Sequence, residues 1–167
     1  NIGSVIMQNP HIEYEQKIKY YHRVIAKTVA KWAPKDSQIL DIGCGVGHIL
    51  REIQSIRPDL SLDAADAYAE CLEITKQSAN ITSSYLLPEN TFDLSAISDK
   101  KYDIIIFSHV LEHIPAPLKA IEDINHLLKP EGKTVLAVPN SLTPAKFLLA
   151  AFRRYPANLG HCFHWDR

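Results

Sequence analysis

Three cysteines, Cys44, Cys71 and Cys162, are too few and too widely spaced for a disulfide framework, so the chain reads as a protein of a reducing compartment, the cytoplasm by default. Cys162 lies in His161-Cys162-Phe163-His164, which has the letters of a metal site, but a second ligand pair at metal-site spacing is lacking and no metal is expected. Apolar stretches are all far shorter than a bilayer span, so no integral membrane segment is expected. The N-terminus lacks the basic-then-apolar plan of a secretory leader. With a formal net charge of −1 and no run of like charges, the chain has neither a nucleic-acid stripe nor a polybasic anchor. Internal repeats and low-complexity tracts are missing as well. What remains, 46% hydrophobic and 22% charged over 167 residues, is ordinary for one globular domain with a sizeable core.

Glycine is sparse, six in all, yet three fall at alternate positions in Ile39-Leu40-Asp41-Ile42-Gly43-Cys44-Gly45-Val46-Gly47. An apolar run cut off by glycine predicts a short buried strand over residues 38–42, and apolar periodicity at Ile49, Leu50 and Ile53 predicts a helix just after the loop. Strand, glycine loop and helix are the first half of a nucleotide-binding βαβ unit. A dinucleotide fingerprint wants glycines at 43, 45 and 48, but position 48 is His48. Asp41 would repel a pyrophosphate at the helix N-terminus and attract a cation instead.

Further along, Leu60 to Asp66 predicts a second strand. Asp66 stands about twenty residues beyond the first glycine, the spacing of a ribose-binding carboxylate. Such an acid accepts from both vicinal hydroxyls at once; Asp66 also suits the N-cap of a helix over residues 67–79, and Asp63 is a rival inside the strand. Residues 81–87 suggest a third strand, broken by Pro88 before Asp93 and Leu94. Lys101 to Phe107 is a strong buried-strand signal, leading into Ser108-His109-Val110-Leu111-Glu112-His113. Leu118, Ile121, Ile124, Leu127 and Leu128 predict an amphipathic helix. Leu128-Lys129-Pro130-Glu131-Gly132 is a turn into a fifth strand at residues 134–138. Upstream, Ile18, Tyr21, Val24, Ile25 and Val29 space a helix between His11 and Trp32, whose Tyr14, Tyr20 and Tyr21 are candidates to line a cleft.

The acid-x-G-x-G-x-G loop, the Tyr-Asp-apolar strand with Val-Leu-Glu-His after it, and the Leu-Lys-Pro-x-Gly turn stand in the order that resembles class I S-adenosylmethionine-dependent methyltransferases of the small-molecule or saccharide type. The tail around Gly160 and His161 resembles the acceptor-side loop of bacterial members. The resemblance covers roughly residues 36–140. It implies an α/β, Rossmann-like open and mostly parallel sheet with helices on both faces, and the chain carries five of an expected seven strands. It also implies three parts: an N-terminal helical cover over 1–35, a cofactor-binding core over 36–140 and an incomplete acceptor-side part over 141–167.

The cofactor implied is S-adenosyl-L-methionine, leaving as S-adenosyl-L-homocysteine after in-line displacement onto a small-molecule acceptor. Asp41 would act on the cationic methionine end, with Gly43, Cys44 and Gly45 along the methionine and ribose. Asp66 with Ala67 would hold the ribose hydroxyls, Asp93 or the amide of Leu94 the adenine, and Ser108 the methionine moiety. A hydroxyl acceptor calls for a base suited to neutral pH. His109 and His113, four apart and sharing a face on one helical turn, are the candidates, His109 first. His113 alternatively pins the loop, while Glu112 could orient a histidine or cap the next helix, with capping or solvent exposure expected. His161 and His164 would enter from the far side of the cleft. A non-catalytic methyltransferase-like binding module and an NAD-dependent oxidoreductase are the competing readings. Homodimerisation stays open.

Overall fold

The computed structural model describes residues 17–89 and 91–139. Helix α1 spans Tyr20–Trp32, strand β1 Gln38–Ile42, helix α2 His48–Ile56, strand β2 Ser61–Asp66, helix α3 Ala69–Ser78 and strand β3 Ser83–Leu86. A short 3₁₀ turn at Ser95–Ile97 precedes strand β4, Tyr102–Ser108. A second 3₁₀ turn at Leu111–His113, helix α4 at Pro117–His126 and strand β5 at Leu128–Ala137 complete the described chain. The five strands form one sheet in the order β3-β2-β1-β4-β5, and every neighbouring pair is parallel.

The strand sequences dictate two covered faces. In β1, Ile39 points into one apolar cluster while Leu40 and Ile42 point into another; in β4, Ile104 and Ile106 join the first, Ile105 and Phe107 the second. Both faces of the central strands are therefore apolar, the pattern of a parallel sheet sandwiched between helices. The first cluster takes Ile25, Ala26 and Val29 from α1 and Leu50 and Ile53 from α2; the second takes Ala120 and Ile124 from α4. Complete burial of each such valine, leucine, isoleucine or phenylalanine side chain contributes about 1.5–3 kcal/mol.

Arg57, following α2, ties α1 in place. Its guanidinium donates to the carbonyls of Ala30 and Ala33, both at 2.9 Å, and to the Asp59 carboxylate. Carbonyls at the end of α1 that lack helical partners are thereby satisfied.

Two expectations need correction. The last helix buries only part of the apolar set predicted for it: Ile124 and Leu127, with Ala120, face the sheet, whereas Leu118 is 76% and Ile121 42% exposed. At 100° per residue those three share one stripe, and Leu118 and Ile121 lie on another. The turn at Leu128 is itself the start of β5, because Leu128 pairs with Tyr102 before a register shift carries the ladder on from Lys133 opposite Ile104.

Candidate functional site

The strand order reverses at β1, where β2 lies on one side and β4 on the other. Open α/β sheets place ligands beyond the carboxyl ends of the strands at such a switch point. The glycine loop leaves β1 there, and Ser108 and His109 end β4 beside it, because Ile42 pairs with Phe107.

The loop has the conformation its composition allows. Gly43, Gly45 and Gly47 have φ of 74°, 53° and 77°, in the left-handed region that disfavours a Cβ. A Cβ on Gly43 would come 2.2 Å from Cγ2 of Val110, so glycine is what lets the β1 loop and the segment after β4 meet. The amides of Gly43 and Cys44 both donate to the carbonyl of Ala65, at 2.8 and 3.2 Å. The amide of Gly45 donates to Oδ2 of Asp66 at 2.8 Å, and the amide of Tyr68 to its Oδ1 at 2.9 Å. Asp66 thus faces the loop and also holds the chain entering α3. Ala67 follows it, half-buried. The rival Asp63 is engaged elsewhere: it accepts from the hydroxyls of Tyr102 at 2.8 Å and Tyr85 at 3.3 Å inside the sheet.

Behind the loop, Asp41 is 1% exposed and neither carboxylate oxygen has a hydrogen-bond partner. Burial, with the nearby Asp66 charge adding to it, pushes its pKa up to about 8. The Oγ of Ser108 is likewise buried without a partner. Burial also raises the Cys44 thiol, aided by Asp66 and Asp41, so it is no ready nucleophile. Thr75 of α3 braces the loop by donating to the Gly45 carbonyl at 3.1 Å.

His109 has φ of 58°, unusual for a residue other than glycine, and its amide donates to the carbonyl of Ala137 at 2.8 Å. It therefore precedes the 3₁₀ turn, and the expectation that it shares a helical turn with His113 fails. His113 closes that turn with an exposed side chain. Glu112 is neither a helix cap nor solvent-exposed. At 1% exposure it places Oε1 3.5 Å from Nδ1 of His109. Burial pulls its pKa upward, but the His109 hydrogen bond, its own backbone amide and the charges of His109 and His113 outweigh that and hold it below the ordinary value.

Tyr21 of α1 packs its ring against His109 at 4.4 Å between centroids, and a row continues from Tyr21 through His22 to His48. Burial first, then His48, Lys19, His109 and Arg51, lower the His22 pKa to about 4. Sequence reasoning named Tyr21 and missed His22, although His22 stands three before Ile25 and seven before Val29, on the buried stripe of α1. Tyr20 is exposed. Tyr14, His161, His164 and Cys162 lie outside the described residues. Leu94 is buried in the core; Asp93 is exposed, and its Oδ1 accepts from the amide of Ser95 at 2.9 Å, at the start of the first 3₁₀ turn. Asp41, Gly43, Cys44, Gly45, Asp66, Ser108 and His109 thus gather at the switch point, while Asp93 stands at the first 3₁₀ turn and His113 ends the second. Among the described residues no three His, Cys, Asp or Glu side chains form a metal cage, and no helix is long and apolar enough to cross a membrane.

Comparison with known proteins agrees with this architecture. The chain is similar to the ubiquinone biosynthesis O-methyltransferase of Haemophilus ducreyi, 32% identical over 124 residues, which is 71% of this chain and 52% of that protein. The chain therefore spans about half the length of the curated relatives it matches. The fold is similar to the plantazolicin methyltransferase BpumL in complex with SAH, with a TM-score of 0.63 and 18% identity, covering 92% of this chain and 66% of that one. It is also similar to DesVI of Streptomyces venezuelae, with a TM-score of 0.53 and 20% identity, covering 69% and 50%. A family description, methyltransferase domain, matches residues 13–167. The chain belongs to the methyltransferase-domain family and has the α/β fold of class I S-adenosylmethionine-dependent methyltransferases.

Proposed function

We propose that the protein transfers a methyl group from S-adenosylmethionine to a hydroxyl of a small-molecule acceptor. Family membership and the relative named as a ubiquinone biosynthesis O-methyltransferase support the reaction class. The observation that carries the donor assignment is Asp41, a buried carboxyl with both oxygens unpartnered, behind a loop of left-handed glycines. A buried acid without an internal partner is costly, and a cationic ligand compensates that cost.

When bound, the donor supplies an electrophilic methyl carbon on a sulfonium. Burial holds Asp41 protonated up to about pH 8 in the ligand-free chain, and the cationic end of the donor favours its ionised form, so that it meets that end with negative charge. The backbone of Gly43, Cys44 and Gly45 lines the methionine and ribose portions, and Ser108 borders the methionine end. Asp66, held in place by the Gly45 and Tyr68 amides, accepts from the ribose hydroxyls beside Ala67. Asp93 or the amide of Leu94 serves the adenine. His109, at the end of β4, takes the proton from the acceptor hydroxyl, with His113 the alternative base. The rest of the contribution is alignment, which suits a displacement that needs little covalent help. Helix α1 of the 1–35 segment, which brings Tyr21 to His109, covers the site, and 36–140 binds the donor; the acceptor-side part expected over 141–167 lies outside the described residues. The three widely spaced cysteines favour a cytoplasmic setting.

Calorimetric titration with S-adenosylmethionine and, separately, with NAD tests the donor. Formation of S-adenosylhomocysteine against a panel of quinols, catechols and saccharides tests the transfer. Binding of NAD in preference to S-adenosylmethionine would overturn the assignment; donor binding with no turnover on any acceptor would leave a binding module instead.

A further inference from the structure

Glu112 is a carboxylate in an unfavourable place. Its side chain is 2% exposed, its Oε2 has no hydrogen-bond partner, and burial by itself would favour the neutral acid. An uncompensated buried charge is strongly unfavourable. The local architecture explains where the residue is: the 3₁₀ turn at Leu111–His113 sets it three positions after His109, and the His113 amide closes the turn onto the Val110 carbonyl at 2.9 Å. Turn geometry does not explain why that position carries an acid.

The surroundings of His109 supply a reason. Its backbone is fixed in the left-handed region at φ 58°, anchored by its amide to Ala137. Left-handed backbone at such a residue persists only where neighbours over-determine it. Tyr21 packs against the ring at 4.4 Å, and Oε1 of Glu112 stands 3.5 Å from Nδ1, at the outer limit of a hydrogen bond. The ring, 31% exposed, therefore turns Nδ1 to a buried carboxylate. A nitrogen that meets an ionised carboxylate must carry a proton, which leaves the lone pair of the neutral ring on Nε2. Separations of this kind tighten when substrate is bound.

We propose that Glu112 is a positioning residue for His109, holding the imidazole in the tautomer protonated at Nδ1 so that Nε2 accepts the acceptor's proton. Imidazolium formation during transfer is stabilised by the same carboxylate, which stays ionised throughout. The inference rests on His109 being the base, and it extends that reading to a residue outside the donor loop.

The tautomer is measurable without an acceptor. Nitrogen NMR on the full chain with ¹⁵N-labelled histidine, at a pH where the ring is neutral, reads which nitrogen carries the proton, and His109→Asn identifies the signal. The wild type is expected to be mainly Nδ1-protonated at His109, Glu112→Ala mainly Nε2-protonated, and Glu112→Asp in between. A purely structural Glu112 predicts the same tautomer in all three. An Nε2-protonated majority in the wild type overturns the proposal even if the alanine variant fails to fold. Calorimetry with S-adenosylmethionine separates the two readings. Loss of donor binding by the wild type sinks the methyltransferase assignment, whereas an unchanged tautomer with intact donor binding sinks only the role of Glu112.

Discussion

The amide of Gly45 meets the carboxylate of Asp66 at 2.8 Å across 21 residues of sequence, joining the loop after β1 to the end of β2. The bond aims Asp66 at the glycine loop, whereas Asp63, three residues earlier, is taken up by two tyrosines within the sheet. Two acids on one strand therefore have separate work, decided by which amides and hydroxyls reach them.

Replacing Asp66 by alanine removes the acceptor of two backbone amides, Gly45 and Tyr68. Unfolding free energy is expected to drop by about 1–3 kcal/mol, the usual loss for a hydrogen-bonded charged group. Affinity for S-adenosylmethionine should weaken at least about tenfold by calorimetry, since a factor of ten is only 1.4 kcal/mol. Asp66→Asn, with one carbonyl oxygen left, should fall between. An unchanged affinity in both variants would remove Asp66 from the donor site.

Gly43→Ala sets a methyl against Val110 and asks a Cβ to tolerate φ of 74°. The cost is expected to be about 1–3 kcal/mol from overpacking, with about 1–2 kcal/mol more from the left-handed backbone. Adding Val110→Ala should return the packing part and leave the backbone part, so urea midpoints of the four species form a double-mutant cycle with positive coupling. Additivity would show that the two residues do not touch.

Asp41 has a folded-state pKa of about 8, far above that of an unfolded aspartate. The folded protein then binds more protons than the unfolded chain between about pH 4 and 8, so this group makes the ligand-free protein lose stability as pH rises through that window. Asp41→Asn removes the titration. Unfolding at pH 8 should show the variant more stable by about 1–3 kcal/mol, with the difference shrinking toward pH 4. Donor affinity is expected to move the other way, so that gained stability accompanies weaker binding. A variant less stable than wild type at pH 8 contradicts the buried, unpartnered placement.

His22 has the opposite sign. Its pKa, lowered to about 4, means that the folded state disfavours the charged ring, so stability is lost as pH falls from about 6.5 toward 4. Protonation would also compete with the Lys19 amide, which donates to Nδ1 at 3.2 Å. His22→Phe should flatten that limb by up to about 3 kcal/mol, the span of the shift at 1.36 kcal/mol per unit. Parallel pH profiles for wild type and variant would refute the burial of His22 in the histidine row.

Local chemistry made the central elements legible before any coordinates. Apolar runs such as 104–107 encode buried parallel strands because both faces must be covered, and the glycine spacing at 43–47 encodes a loop that Cβ atoms would obstruct. The spacing from Gly43 to Asp66 likewise foretold a carboxylate at the loop, since β1 and β2 are neighbours joined through one helix. Boundaries near Pro88 and the start of β5 were harder, because a turn motif and a strand start share the residues Leu128 to Gly132.

Which residues are polar in the interior was a matter for the assembled fold. The letters Leu111-Glu112-His113 allow the glutamate to orient a histidine, but that it is buried and meets His109 follows from the left-handed backbone at His109 and its tie to Ala137 on another strand. A histidine on α1 does not announce that it will stack beside His48 of α2. Periodicity is a property of one segment, and it assigned the strands, helices and glycine loop. Charge state and partnership depend on what neighbouring segments bring to the same few ångströms, and only the packed chain decided them.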